Sequence, residues 1–170
     1  AAMSLRAFIW ENIGQVLFAY TPHNAYKYRT ALLKLFGMKC GIRVRVRRSV
    51  VIDKPWNVEV DDLVMFGDGA IVNAGEKITI GKRTTISQYA MLITVSGTTE
   101  SGGQLDVRKE IKIEDDCWVA SDAVVLPGSV IEEGVVVGAR GCVDGRLPRW
   151  KICTGEPAVP RGDRVLYGTT

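Results

Sequence analysis

Few side chains of this protein can do chemistry, and their types limit what that chemistry can be. There is one histidine, His23, which excludes a metal centre built from several histidines. The four cysteines, Cys40, Cys117, Cys142 and Cys153, form no CxxC pair. Reduced thiols in a cytoplasmic protein are expected, with no metal and no cleavable signal peptide. Three carboxylates, Glu100, Asp106 and the terminal Glu110, stand on a polar, glycine-rich stretch, Val95 to Glu110, that reads VSGTTESGGQLDVRKE. Glu100 is the first candidate general base and Asp106 the second, provided desolvation raises the pKa. Arg43, Arg45 and Arg47 alternate with Val44 and Val46, which places the arginines on the outer face of a strand. Guanidinium groups there can meet a phosphate or diphosphate, or simply form a charged end to the fold.

What must position these groups is a repeat. Ile113, Val119, Val125, Ile131, Val137 and Val143 recur every six residues. Small residues follow the first five by four places: Cys117, Ala123, Ser129, Val135 and Gly141. The same period runs through Val60, Phe66 and Val72, then through Ile80, Ile86 and Leu92 after a two-residue insertion. This period is neither helical nor simple strand alternation. It fits a short strand plus a corner, with three such units closing a triangular coil. The expected fold is an all-β solenoid, a parallel β-helix of hexapeptide repeats over residues 40–147. A loop at 95–110 projects from it, and a C-terminal tail occupies 148–170.

Residues 1–39 read as an N-terminal helical segment. Leu5, Phe8, Ile9, Ile13, Val16, Leu17 and Tyr20 fall at helical spacing and end at Thr21-Pro22. Tyr28, Ala31, Leu32, Leu35 and Phe36 form a second stripe, with Gly37 as its C-terminal cap. Such stripes usually pack on their own domain. Lys27, Arg29, Lys34 and Lys39 are assigned to the polar side of the second helix. The net charge of +3 is uneven: residues 1–54 carry ten Lys/Arg against two Asp/Glu. Peripheral contact with an anionic membrane surface is one reading of that end, and a solvated basic face is the other. Nucleic acid is not expected, since no aromatics interleave with the arginines. The 170 residues, 46% of them hydrophobic, suffice for one domain with a core.

Seven segments carry a resemblance to a known family: LLKLFG (Leu32–Gly37), PWN (Pro55–Asn57), ITIG (Ile78–Gly81), SQYA (Ser87–Ala90), WVAS (Trp118–Ser121), VVGARG (Val136–Gly141) and GEPA (Gly155–Ala158). In this order and spacing the chain resembles the hexapeptide-repeat acyltransferases with a left-handed β-helix. The match is to the colanic-acid-biosynthesis acetyltransferase branch, near the galactoside and maltose O-acetyltransferases. The resemblance implies a homotrimer that moves acetyl from acetyl-CoA to a sugar hydroxyl, the donor lying in a groove between adjacent prisms. It further implies that Asn73 lines the acceptor site and Trp118 walls the acyl pocket. A backbone amide near Ala120 and Ser121 would meet the thioester oxygen. Ala139 and Arg140 would flank the pantetheine arm, and Arg161 or Arg164 would meet the nucleotide phosphates.

The sequence departs from the family at two points. Gly97 stands where the family carries its base histidine, in a segment reading roughly T-G-S-H-D-Y. Asp144-Gly145 replaces a stretch that often holds a donor-binding lysine. Two functions therefore remain: an O-acyltransferase with an unconventional base, Glu100 first, or a catalytically silent homologue acting as a trimeric scaffold or glycan-binding subunit.

Overall fold

The computed structural model describes residues 4–100 and 103–165, and side chains outside 98–105. Residues 39–155 wind as a parallel β-solenoid of about five turns, left-handed, with three flat faces. The first face stacks Lys39–Cys40, Val58–Val60, Ile78–Ile80, Ile111–Ile113, Val130–Ile131 and Arg146–Leu147. The second stacks Arg45–Val46, Met65–Phe66, Thr85–Ile86, Trp118–Val119, Val136–Val137 and Lys151–Gly155. The third stacks Val51–Ile52, Ile71–Asn73, Met91–Ile93, Val124–Val125 and Cys142–Val143.

Strands this short are held by what lies inside them. The six aliphatics of the repeat, Ile113 to Val143, are at most 2% exposed. They line up down the prism, so each coil covers its neighbour's apolar edge. The small residues Cys117, Ala123, Ser129 and Val135 also face in. Successive corners stack by backbone hydrogen bonds: Leu63 to Ile42, Arg83 to Asp62, Asp116 to Lys82, and Gly134 to Asp115. Leu63, Arg83 and Asp116 take the left-handed conformation there, with φ of 61°, 56° and 57°. Each costs on the order of 1–2 kcal/mol, which the stacked corner offsets. At Gly134 the conformation also brings the Trp150 ring so close that a Cβ would lie 2.5 Å from it.

The segment expected as a loop is an antiparallel hairpin, Val95–Glu100 against Gly103–Arg108. It leaves at the corner between the third and first faces. Its root is fixed by the buried Thr94, whose hydroxyl donates to the Asn73 carbonyl and accepts from the Glu76 amide. Arg108 adds an ion pair with Glu76 at 2.8 Å. Beyond Pro148, Lys151–Gly155 pairs with Val136–Val137, and Ala158–Asp163 folds back antiparallel on it.

The helical segment inverts one expectation. Residues Leu5–Ala19 form a single helix with a π turn at Trp10–Gly14. Its buried face is Ala7, Trp10, Gly14 and Phe18, while Leu5, Phe8, Ile13, Val16, Leu17 and Tyr20 are exposed. The π turn resets the phase, and Trp10 then decides which side packs. Its indole Nε1 donates to the Ile52 carbonyl at 2.7 Å, and Gln15 Nε2 reaches the same oxygen at 2.9 Å. Gly14 is required beneath the ring, because a Cβ would stand 2.3 Å from it.

The helix Tyr26–Leu35 is likewise turned from the expected stripe. Arg29 and Leu33 are its buried residues, and Tyr28 and Leu35 are exposed. Arg29 is thus inside, not on the polar side. Its guanidinium donates to the carbonyls of Val46, Pro22 and His23 and to the Thr21 hydroxyl. The Pro22 carbonyl also accepts from the Ala25 amide at 3.0 Å, and a charged fork supplies several donors at once to the rest of the cluster.

Candidate functional site

Two edges of the prism carry the residues singled out from the sequence. The first is the corner between the third and first faces. Asn73 ends a third-face strand there, half-buried, and its Oδ1 is buried without a hydrogen-bond partner. Its backbone carbonyl binds the root of the hairpin through Thr94. Three residues beyond Thr94, Gly97 lies on the outgoing strand, directly opposite Asp106. Glu100 pairs with Gly103 at the far end of the hairpin, and its side chain lies outside the described residues.

The second edge is the corner between the second and third faces. Trp118 stands on the second face, half-exposed, its Nε1 donating to Ser87 Oγ at 2.8 Å. The ring walls a shallow depression of about 350 Å³ shared with Arg47, Asp68, Thr85, Ser87 and Gln88. The Ala120 amide donates to the Val137 carbonyl at 3.0 Å as part of the ladder. Arg140 donates its amide to the Ser121 carbonyl, so the Ser121 and Ala139–Arg140 corners stack in one column. This edge therefore gathers four candidate donor-site positions, and Ser121 is the residue there next beyond the ladder-bound amide.

The remaining positions divide. Arg161 is exposed on the returning strand Ala158–Asp163. Arg164 instead donates to the carbonyls of Asp116 and Gly134, tying the tail to the opposite corner. Asp144 is exposed beside Gly145, whose φ is +109°. His23 lies on the helical cap, its Nε2 2.5 Å from Arg47 Nη1, away from the hairpin. Arg43 occupies a corner, not the strand, leaving Arg45 as the exposed strand arginine.

Cys117 adjoins Trp118 but faces inward, and sequence reasoning counted it only as a small residue. Its Sγ donates to the Glu132 carbonyl at 3.1 Å, and burial pushes the thiol up to about 11. It cannot serve as a nucleophile near neutral pH. Among the described residues no group of three or more His, Cys, Asp or Glu could hold a metal ion. The unpartnered Asn73 Oδ1 had no signal in the sequence, because the burial of one side-chain oxygen is set by the folded corner.

This solenoid fold is shared with solved acetyltransferases. The galactoside acetyltransferase in complex with coenzyme A superposes with a TM-score of 0.84 at 18% identity, over 96% of this chain and 84% of that one. The hexapeptide-repeat acetyltransferase VCA0836 of Vibrio cholerae, complexed with acetyl-CoA, gives 0.81 at 22% identity, over 94% of this chain and 86% of that one. No protein-family model matches the chain. Among curated proteins, WcaF of Escherichia coli K12, assigned as an acetyltransferase of colanic acid biosynthesis, is 37% identical over 162 residues, 95% of this chain and 89% of WcaF. WbbJ of the same organism, assigned as a lipopolysaccharide O-acetyl transferase, is 29% identical over 72% of this chain and 66% of WbbJ. The fold and these relatives define a hexapeptide-repeat acetyltransferase. The chain belongs to the WcaF family of such enzymes.

Proposed function

We propose that the protein transfers an acetyl group from acetyl-CoA to a sugar hydroxyl in the synthesis of a cell-surface polysaccharide, on the cytoplasmic side. The observation that carries this reading is the stacked column of Ser121 and Ala139–Arg140 beside Trp118. Small side chains and backbone at a corner let a narrow thioester arm approach closely, and an amide at Ser121 is placed for the thioester oxygen. Arg161, exposed near the column's end, is the cation for the nucleotide phosphates.

The acceptor side is Asn73 with the hairpin. The third face separates it from Trp118 and Ser121 within one chain. The proposed assembly is a homotrimer in which the hairpin of one copy meets the column of the next, and the separation of the two edges within one chain supports it. In the reaction the sugar oxygen attacks the thioester carbonyl. A C–O ester bond forms, the C–S bond breaks, and the hydroxyl proton leaves as the thiolate takes one up. Gly97 holds no base for that proton. The carboxylates of Glu100 and Asp106 on the same hairpin are the groups available to accept it.

Calorimetric titration with acetyl-CoA tests the reading. Saturable binding and release of free thiol in the presence of acceptor glycan are expected. Absence of binding at millimolar donor overturns it. Gly97 itself favours a second reading, a silent homologue serving as trimeric scaffold or glycan-binding subunit. That reading predicts glycan binding without any thiol release.

A further inference from the structure

The apolar stripe of the first helix is not used by the fold. Leu5, Phe8, Ile13, Val16, Leu17 and Tyr20 recur at helical spacing, yet all are exposed, Tyr20 at 87%. The opposite side of the same helix packs on the solenoid through Trp10 and Phe18. Val16, Leu17, Tyr20 and Tyr28, with Pro22 and Ala25, line an apolar groove of about 650 Å³ between the two helices. An exposed apolar face of this kind marks an interaction site.

A second groove adjoins it, sharing Ala25. It has a volume of about 700 Å³ and is lined by Lys27, Lys34, Arg43 and Arg45, with no Asp or Glu. Among the described residues none of these four cations is in a salt bridge, whereas Lys39 and Arg47 nearby are. Four cations whose charges nothing answers, beside an apolar groove with two tyrosines on its rim, have one complementary surface: anionic headgroups over acyl chains.

We propose that the helical cap docks on an anionic phospholipid bilayer. Val16, Leu17, Tyr20 and Tyr28 enter the boundary between headgroups and acyl chains, and Lys27, Lys34, Arg43 and Arg45 meet lipid phosphates. No helix among the described residues is long and apolar enough to cross a membrane, so the helix lies along the surface. The docking does not depend on acetyl transfer, and it is measured without donor or acceptor. It would hold the solenoid beside acceptors presented at a membrane.

The test is sedimentation of the full chain with vesicles of phosphatidylcholine, with and without about one-third phosphatidylglycerol. Binding to the anionic vesicles alone, weakened by salt, is expected. Replacing Lys27, Lys34 and Arg45 by Ala and Arg43 by Asn, which tolerates the corner conformation, should lower affinity by roughly fivefold per charge. Leu17→Ser with Tyr20→Ser should weaken binding by on the order of tenfold or more, with the thermal midpoint unchanged. Failure to bind anionic vesicles overturns the proposal. So does a Leu17→Ser, Tyr20→Ser variant that binds vesicles normally, since the apolar groove would then play no part. Loss of oligomer mass in that variant, with no vesicle binding by the parent, assigns the face to a second copy instead. Full displacement by millimolar inorganic phosphate would reassign the basic groove to a small anion.

Discussion

Gly97 and Asp106 are direct partners across the antiparallel hairpin, the backbone of one facing the backbone of the other. The position where the family resemblance expects an imidazole thus has no side chain, and its nearest cross-strand neighbour carries a carboxylate. The hairpin that carries this position is rooted at Asn73, through the Thr94 hydroxyl that donates to the Asn73 carbonyl. On the proposed function this corner is the acceptor side, and Gly97 leaves the hydroxyl proton to a carboxylate of the hairpin.

Gly97→His should therefore raise the acetyl-transfer rate by about 10²–10⁴-fold, the usual contribution of a positioned base, in a Glu100→Gln, Asp106→Asn background, and by less in the parent. KM for acetyl-CoA should stay within about twofold, because the proposed donor column of Ser121 and Ala139–Arg140 is built from other residues. Steady-state kinetics with a fixed acceptor checks both. A variant that binds donor yet remains silent would favour the scaffold reading.

Trp118→Ala should raise KM for acetyl-CoA by on the order of tenfold, the loss of an aromatic wall. The ring is half-exposed, and its single hydrogen bond goes to Ser87. Stability should consequently fall by no more than about 1 kcal/mol. A thermal melt beside the kinetics separates the two effects, and a large drop in midpoint with unchanged KM would remove Trp118 from the donor site.

The core was legible in the sequence where position alone decides burial. Ile113 through Val143 could be placed because a six-residue period admits one geometry, and every one of them is inside. The helical cap was not legible in the same way. Its apolar residues outnumber what one face can bury, so spacing could not say which face wins. The choice rests on the Trp10 indole reaching Ile52 and on Gly14 making room for it. Arg29 misled for a related reason. An arginine is assigned to solvent by default, and only the turn at Thr21–His23 and the Val46 carbonyl give it partners inside. The site residues were named from resemblance. The structure adds that the Ala120 amide is already engaged with Val137 and that Arg164 is tied to two corner carbonyls.

Arg29→Met should cost about 3 kcal/mol or more, although the apolar volume is nearly kept. The loss comes from the acceptors left behind. The carbonyls of Val46, Pro22 and His23 and the Thr21 hydroxyl would lose the guanidinium together. Arg29→Lys should recover only part, because an ammonium is not a planar fork. Urea denaturation followed by tryptophan emission reads the change. A Met variant as stable as the parent would show that the buried guanidinium only offsets its own desolvation.

Acid should weaken the corners of the solenoid before its core. Glu132 accepts from the Arg149 amide at 2.9 Å and from Arg146 Nε at 2.7 Å, and these bonds hold its carboxyl below the ordinary range. Asp116 is lowered by its two hydrogen bonds from Arg83, and Glu114 by Lys112. A carboxylate with a depressed folded pKa contributes stability that is fully present above its unfolded value. That contribution is lost as pH falls through the folded pKa. The thermal midpoint should accordingly carry the full contribution of these groups, with no pH dependence from them, between about pH 5 and pH 7, and should decline below about pH 4.5. Glu132→Gln removes one such proton-uptake site, so its midpoint should start lower at neutral pH and fall less steeply in acid. Parallel acid limbs for parent and variant would show that Glu132 titrates alike in the folded and unfolded chains.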